Sequence, residues 1–75
     1  MRETLEDNWD ALKGWADGTE DFNDASLETF EAAGKVAEAV ESMFGVKVDT
    51  KYVHDNLTEL KALAEGNTEA LDKLA

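Results

Sequence analysis

The longest helical pattern in the chain extends from Asn23 to Gly45. Its apolar residues recur at intervals of three and four positions, which places them on one face of a helix with about 3.6 residues per turn. These residues are Leu27, Phe30, Ala33, Ala37, Val40 and Phe44. An apolar helix face is stable in water only when other segments cover it. The pattern therefore predicts a helix against which the rest of the chain packs.

Shorter helical patterns flank this segment at residues 2–16 and 50–65, with a last one near the C-terminus. Each places apolar side chains at helical spacing, so each is a candidate partner for the long helix. From these patterns we expect in the core Leu5, Trp9, Leu12, Trp15, Tyr52, Leu57, Leu60, Leu63 and Leu71. The sequence predicts an all-α fold, a small bundle of three to four helices with short connections, as a single domain over residues 1–75.

Capping residues and glycines predict where these helices begin and end. The polar segment 19–24 and Ser26 carry side chains that accept hydrogen bonds from free amides at a helix start. Gly45 is expected to end the long helix, because glycine adopts the left-handed conformation cheaply. The following residues 46–48 are predicted to form a connector whose two valines close the core. Residues 56–59 have the form of a capping box, which indicates a break within 50–65.

Two glycines lie inside the predicted helices. Glycine in a helix interior costs about 1 kcal/mol relative to alanine, so each position needs a local reason. For Gly14 we expect either the close approach of a neighbour or an early fraying end. Gly34 lies with Ala33 and Ala37 in the small middle of the long helix, where we expect a neighbouring side chain to come closest.

The acidic balance of the chain limits its partners. Eighteen Asp and Glu residues against seven Lys and Arg give a formal net charge of −11. This charge repels phosphate backbones, so we do not expect direct binding to nucleic acid. No apolar run approaches the ~18 residues of a membrane span. The sequence leaves the oligomeric state open, because two tryptophans on one short helix suit a dimer as well as an intramolecular core.

One stretch of the loop before the long helix has part of a calcium-binding pattern. Counted as an EF-hand loop from Asp17, the oxygen-bearing residues Thr19, Asp21 and Glu28 fall on positions 3, 5 and 12 of the loop. Phe22 occupies the sixth position, where the turn of that loop needs glycine. We therefore expect these residues to cap helices, and we predict no metal site.

Ser26 is the candidate attachment site for a cofactor. Residues Ser26-Leu27-Glu28-Thr29 and Phe44-Gly45-Val46 resemble acyl carrier proteins, whose serine opens a helix and carries phosphopantetheine. Ala25 stands where that family has aspartate, the helix is about one turn too long, and the preceding loop is too short. The resemblance implies an acyl-carrier-like protein modified on Ser26 as the alternative function, whereas helix capping remains the simpler role for this residue.

The sequence gives only weak evidence for other catalytic or ligand-binding residues. His54, the only histidine, is followed by Asp55, but a general base also needs a nucleophile and a pocket that the sequence does not specify. The two tryptophans are a possible ligand platform, although their spacing with leucines favours the core. We therefore expect no enzymatic activity, no catalytic residue and no bound cofactor.

The second half of the chain resembles tail tape measure proteins of tailed phages and prophages. The likeness covers roughly Leu27 to Ala75 and consists of a helix, a valine connector, a second helix and a turn. Its motifs are Phe44-Gly45-Val46-Lys47-Val48-Asp49, Tyr52-Val53, Asn56-Leu57 and Gly66-Asn67-Thr68-Glu69-Ala70-Leu71. These are packing and turn positions, so the resemblance assigns no functional residue.

Tape measure proteins are long, largely helical molecules that set tail length inside the tail tube. The resemblance implies a non-enzymatic structural or interaction module, excised from a longer chain. It implies other protein segments or phage tail components as partners. Its location would then be the cytoplasm of a bacterial host or the virion tail.

Overall fold

The computed structural model describes residues 2–74, in which every regular element is a helix. The elements are α1 (Arg2–Asp17), α2 (Leu27–Phe44), α3 (Thr50–Asp55), α4 (Leu57–Ala64) and α5 (Ala70–Leu74). The predicted all-α class is confirmed. The described residues form five helices, not three to four. The extra element arises because the segment 50–65 is divided into two helices.

The ends of α2 are set by the predicted capping residues. Ser26 has an extended backbone, and its Oγ accepts a hydrogen bond from the amide of Thr29 at 3.3 Å. Gly45 adopts the left-handed conformation with φ 72°, and its amide donates to the carbonyl of Glu41 at 2.8 Å. The helix therefore begins at the last of the expected starts, after Ser26.

The predicted break between α3 and α4 lies at Asn56, but its hydrogen bonding differs from a capping box. Asn56 leaves helical geometry with φ −120° and ψ 20°, and its side chain makes no cap hydrogen bond to α4. Instead its Nδ2 donates to the carbonyl of Tyr52 at 2.9 Å, at the end of α3. The backbone amide of Asn56 donates to the same carbonyl at 3.0 Å, so two N–H groups of Asn56 bind the last turn of α3.

The core is centred on one face of α2. The buried residues of this helix are Thr29, Ala32, Ala33, Val36, Ala37 and Val40. The five apolar ones pack in one cluster with side chains from α1, α3 and α4, and the other buried members are Leu5, Leu12, Trp15, Val53, Leu57 and Leu60. Trp9, Phe30 and Tyr52 are partly buried against this cluster, so they belong to the core as predicted.

Three residues expected in the core are exposed, and one of them is Phe44, which is 37% exposed. The side chain of Leu27 is 74% exposed, because it lies about 200° around the helix axis from buried Thr29. Leu71, on α5, is 40% exposed. Leu63 is only half-buried. The buried face of α2 is therefore rotated from the predicted stripe, with Val36 near its centre and Leu27 outside it.

The two helix-interior glycines have different surroundings. A Cβ added at Gly14 would lie 2.7 Å from Cδ of Glu20, so a neighbouring side chain does approach this residue closely. The carbonyl of Gly14 also accepts hydrogen bonds from the amides of Thr19 and Glu20, both at 3.0 Å. At Gly34 an added Cβ would meet no heavy atom of a neighbouring segment within 4 Å. Ala33 and Ala37 are 0% and 5% exposed, so the small middle of α2 is covered as predicted, but beside Gly34 and not at Gly34 itself.

Four rings form an aromatic cluster near the N-terminal end of α2. They are Trp15 of α1, Phe22 of the loop, Phe30 of α2 and His54 of α3. The centroids of Trp15 and Phe30 are 5.5 Å apart with nearly perpendicular planes, and those of Phe22 and Phe30 are 5.4 Å apart. The His54 ring lies 5.1 Å from that of Trp15. The cluster thereby attaches the α1–α2 loop to three helices.

Burial predicts very different consequences for two leucines. Leu12 is fully buried, so Leu12→Ala should destabilise the protein by about 2–5 kcal/mol through lost burial and a residual cavity. Leu27→Ala makes the same chemical change at an exposed site and should stay within about 0.5 kcal/mol of wild type. Urea unfolding followed by circular dichroism measures both. Equal destabilisation by the two variants would contradict the placement of the core.

Candidate functional site

The four residues of the calcium-loop pattern do not form a ligand cluster. Oδ1 of Asp17 accepts hydrogen bonds from the amide of Thr19 at 3.0 Å and from its hydroxyl at 2.7 Å. Both hydrogen bonds hold the pKa of Asp17 below its usual value, and the bond from the Thr19 hydroxyl has the larger effect. Within residues 2–74, no three His, Asp or Glu side chains are close enough to hold a metal ion, so Asp17, Asp21 and Glu28 are not brought together.

Ser26 is exposed at the start of α2 and takes part in a small polar network. Its Oγ lies 3.1 Å from Oγ1 of Thr29, in addition to accepting from the amide of that residue. Thr29 is buried, and its hydroxyl donates to the carbonyl of Ala11 on α1 at 3.0 Å. Oε2 of Glu20 lies 3.3 Å from the same hydroxyl. The expectation that Ser26 caps a helix is confirmed, and its modification stays a prediction.

His54 contacts Asp55, the next residue in the chain. Its Nδ1 lies 2.8 Å from Oδ1 of Asp55, while Nζ of Lys51 lies 3.0 Å from Oδ2. Both contacts hold the pKa of Asp55 below its usual value, and the contact with His54 has the larger effect. The imidazole is half-buried among the rings of the aromatic cluster. The pair therefore joins the surface of α3 to the core.

The two tryptophans have separate environments. Trp15 is buried in the aromatic cluster, where its Nε1 has no hydrogen-bond partner among the described residues. Trp9 lies between α1 and α4, beside a recess of about 280 Å³. Nζ of Lys61 is 4.8 Å from the Trp9 ring centroid, a cation–π distance. Lys61 therefore covers the ring face that an open ligand platform would present.

A second apolar recess is formed by the C-terminal end of α2, the valine connector, α3 and α5. We call it the α2–α5 groove, and its lining residues are Phe44, Val46, Val48, Tyr52, Leu71 and Leu74. Its volume is about 400 Å³. Val48, Tyr52 and Leu74 are half-buried, whereas Phe44, Val46 and Leu71 are 37%, 56% and 40% exposed. The groove therefore has a partly covered interior and an exposed apolar rim.

Local hydrogen bonds hold the segments that form the groove. After Gly45 turns the chain, Oε1 of Glu41 accepts from the amide of Val48 at 3.0 Å. Asp49 then caps α3 by accepting from the amide of Tyr52 at 2.9 Å. The Tyr52 hydroxyl donates to the carbonyl of Leu74 at 3.4 Å, which links α3 to α5. The valine connector and α5 are thus fixed on either side of Tyr52.

Only part of this groove follows from the sequence. The prediction that both connector valines close the core is right for Val48 and wrong for Val46, which points outward. Leu71 was expected to be buried and instead lines the rim. The alternation of apolar and polar residues at 46–48 signals the connector, but no sequence pattern indicates that α5 leaves an apolar gap beside it.

Comparisons with protein-family models, with curated proteins and with solved structures found no match. In addition, no helix among the described residues has the length and apolar character needed to cross a membrane. Functional inference therefore starts from the geometry of this chain.

The buried hydroxyl of Thr29 gives a test of the polar network. Thr29→Val keeps the shape of the side chain but removes its hydrogen bond to Ala11, which should cost about 0.5–1.5 kcal/mol. Thr58→Val is the matched control, since Thr58 is exposed on α4. Thermal and urea unfolding of both variants measure the difference. If Thr29→Val is no more destabilising than Thr58→Val, the hydroxyl does not tie α1 to α2.

Proposed function

We propose that the chain is a non-enzymatic structural or interaction module, and that it is a helical segment of a phage or prophage tail tape measure protein. The observation that carries the interaction role is the α2–α5 groove. Its exposed rim places Phe44, Val46 and Leu71 together on the surface of a chain with a formal net charge of −11, and apolar recesses of this kind are typical of sites where proteins bind other molecules.

The family assignment rests on the sequence resemblance over residues 27–75. The segments that carry it, 44–49, 52–53 and 66–71, also supply five of the six residues that line the groove. A segment of a long helical protein needs contacts with the rest of that protein or with neighbouring subunits. An apolar rim on these segments supports such a role, with tail components as partners and the host cytoplasm or virion tail as location.

The genomic neighbourhood of the coding sequence tests the family assignment. We expect the sequence to lie in frame within a much longer, largely helical reading frame, beside genes for phage tail proteins. Sequencing the flanking DNA measures this directly. A separate short gene with no tail genes nearby would contradict the tape measure assignment and leave the interaction role to be judged by binding experiments.

A further inference from the structure

We propose that the α2–α5 groove binds an amphipathic helical segment of a partner protein, with an apolar face that enters the groove and basic residues beside that face. This inference deepens the proposed function and rests on its interaction role. It commits the groove to a basic helix and not to a second copy of the chain.

The position of exposed apolar residues selects this part of the surface. Met43, Phe44, Val46 and Leu71 are all large, apolar and more than a third exposed. They lie on the end of α2, the connector and α5, which also form the groove. Among residues 2–74, the remaining exposed large apolar residue is Leu27, which lies at the opposite end of α2. The apolar surface thus continues from the groove along one end of the molecule.

The form of this surface suits a helix. Helices that bind in grooves insert side chains spaced at three, four and seven positions, and the apolar side chains make most of the contact. The groove has a half-buried interior at Val48, Tyr52 and Leu74 for such an anchor. Its rim, with Phe44 and Val46 from one segment and Leu71 from another, can contact the next side chains along the helix.

Charge identifies the kind of partner. The segments 41–49 and 69–74, which border the groove, contain the acidic residues Glu41, Asp49, Glu69 and Asp72 but only two lysines, Lys47 and Lys73. The whole chain has a formal net charge of −11. Complementary charge speeds association and excludes wrong partners, so lysine or arginine beside the apolar face favours binding. A second copy would bring an equal negative charge to the interface.

A designed peptide provides the probe. Its leucines are spaced at three and four positions on one helix face and its other residues are lysines; a matched peptide has glutamates in place of the lysines. Backbone amide signals of the isotope-labelled protein locate binding. We expect the lysine peptide to shift signals of the groove residues and to bind at least about tenfold more tightly than the glutamate peptide.

Salt separates the proposed occupant from a second copy of the chain. Binding of the lysine peptide should weaken between about 0.01 M and about 0.15 M salt, because the screening length falls from about 30 Å to about 8 Å. Self-association of two acidic copies should instead strengthen with salt. Sedimentation of the protein without peptide detects self-association under both conditions.

Neutral substitutions test the groove without altering charge. The double variant Val46→Ser, Leu71→Ser removes two rim side chains and should weaken peptide binding at least about tenfold. The control Leu27→Ser makes the same change as Leu71→Ser at an exposed residue outside the groove. This variant should bind the lysine peptide like wild type. Circular dichroism melting curves of the variants establish that they are folded.

Several results would overturn the proposal. The first is that about millimolar peptide, a concentration that detects even weak binding, shifts no amide signals. The second is that the glutamate peptide binds as tightly as the lysine peptide. The third is that the double variant binds the lysine peptide like wild type. Salt-strengthened dimers that the double variant abolishes would assign the groove to a second copy. Shifts confined to another surface would remove the groove while leaving the interaction role intact, and the genomic test of the family assignment is independent of all these outcomes.

Discussion

The rest of the structure depends on the narrow buried face of α2. Its central residues, Ala32, Ala33 and Ala37, have small side chains, which allow neighbouring helices to approach closely, while Val36 and Val40 fill the space between them. α1 and α3 pack directly on α2, and α4 is held against α1. The buried hydroxyl of Thr29, which donates to Ala11, adds a directional contact to this packing.

The two ends of α2 differ in how far other residues cover them. At the N-terminal end, Trp15 and Phe22 pack against Phe30, and His54 packs against Trp15 and Phe22, so the aromatic cluster closes the core. At the C-terminal end, Phe44 is followed by a turn and a connector that leave it 37% exposed. The same helix therefore organises the fold through its middle and N-terminal part, and presents apolar surface at its C-terminal end.

The N–H of Trp15, which has no hydrogen-bond partner among residues 2–74, shows which force dominates at the N-terminal end of α2. Leaving a buried donor without a partner costs about 1–3 kcal/mol. The side chain is nevertheless only 6% exposed, with three aromatic rings within 5.5 Å. Ring packing and burial therefore determine its position. Phe22, in the loop between α1 and α2, contributes to this packing. Its neighbours in the sequence are polar, so no apolar pattern predicted its contact with Trp15.

Local signals predicted the helices well because their causes are local. Ser26 and Gly45 were identified as capping or terminating residues from their chemistry, and the structure places each in that role. The exact face of α2 was not predicted, because Leu27 continues the apolar spacing while lying outside the contact with other helices. Burial of polar Thr29 also escaped a pattern based on apolar residues alone.

The α2–α5 groove was less predictable for a different reason. It depends on how far α5 stands from the valine connector, which is a distance between segments separated by two helices. Periodicity within each segment contains no information about that distance. Phe44 and Leu71 were therefore predicted to lie in the core because they are apolar, whereas in the structure they line the α2–α5 groove.

Native-state hydrogen exchange tests the central role of α2 most directly. If the buried face of α2 holds the fold together, amides from Ala33 to Val40 should exchange only through global unfolding, and those of α5 should exchange faster through local opening. Exchange rates measured across a range of low urea concentrations distinguish these two routes. Local opening of the α2 centre, with slower exchange in α4 or α5, would contradict the account.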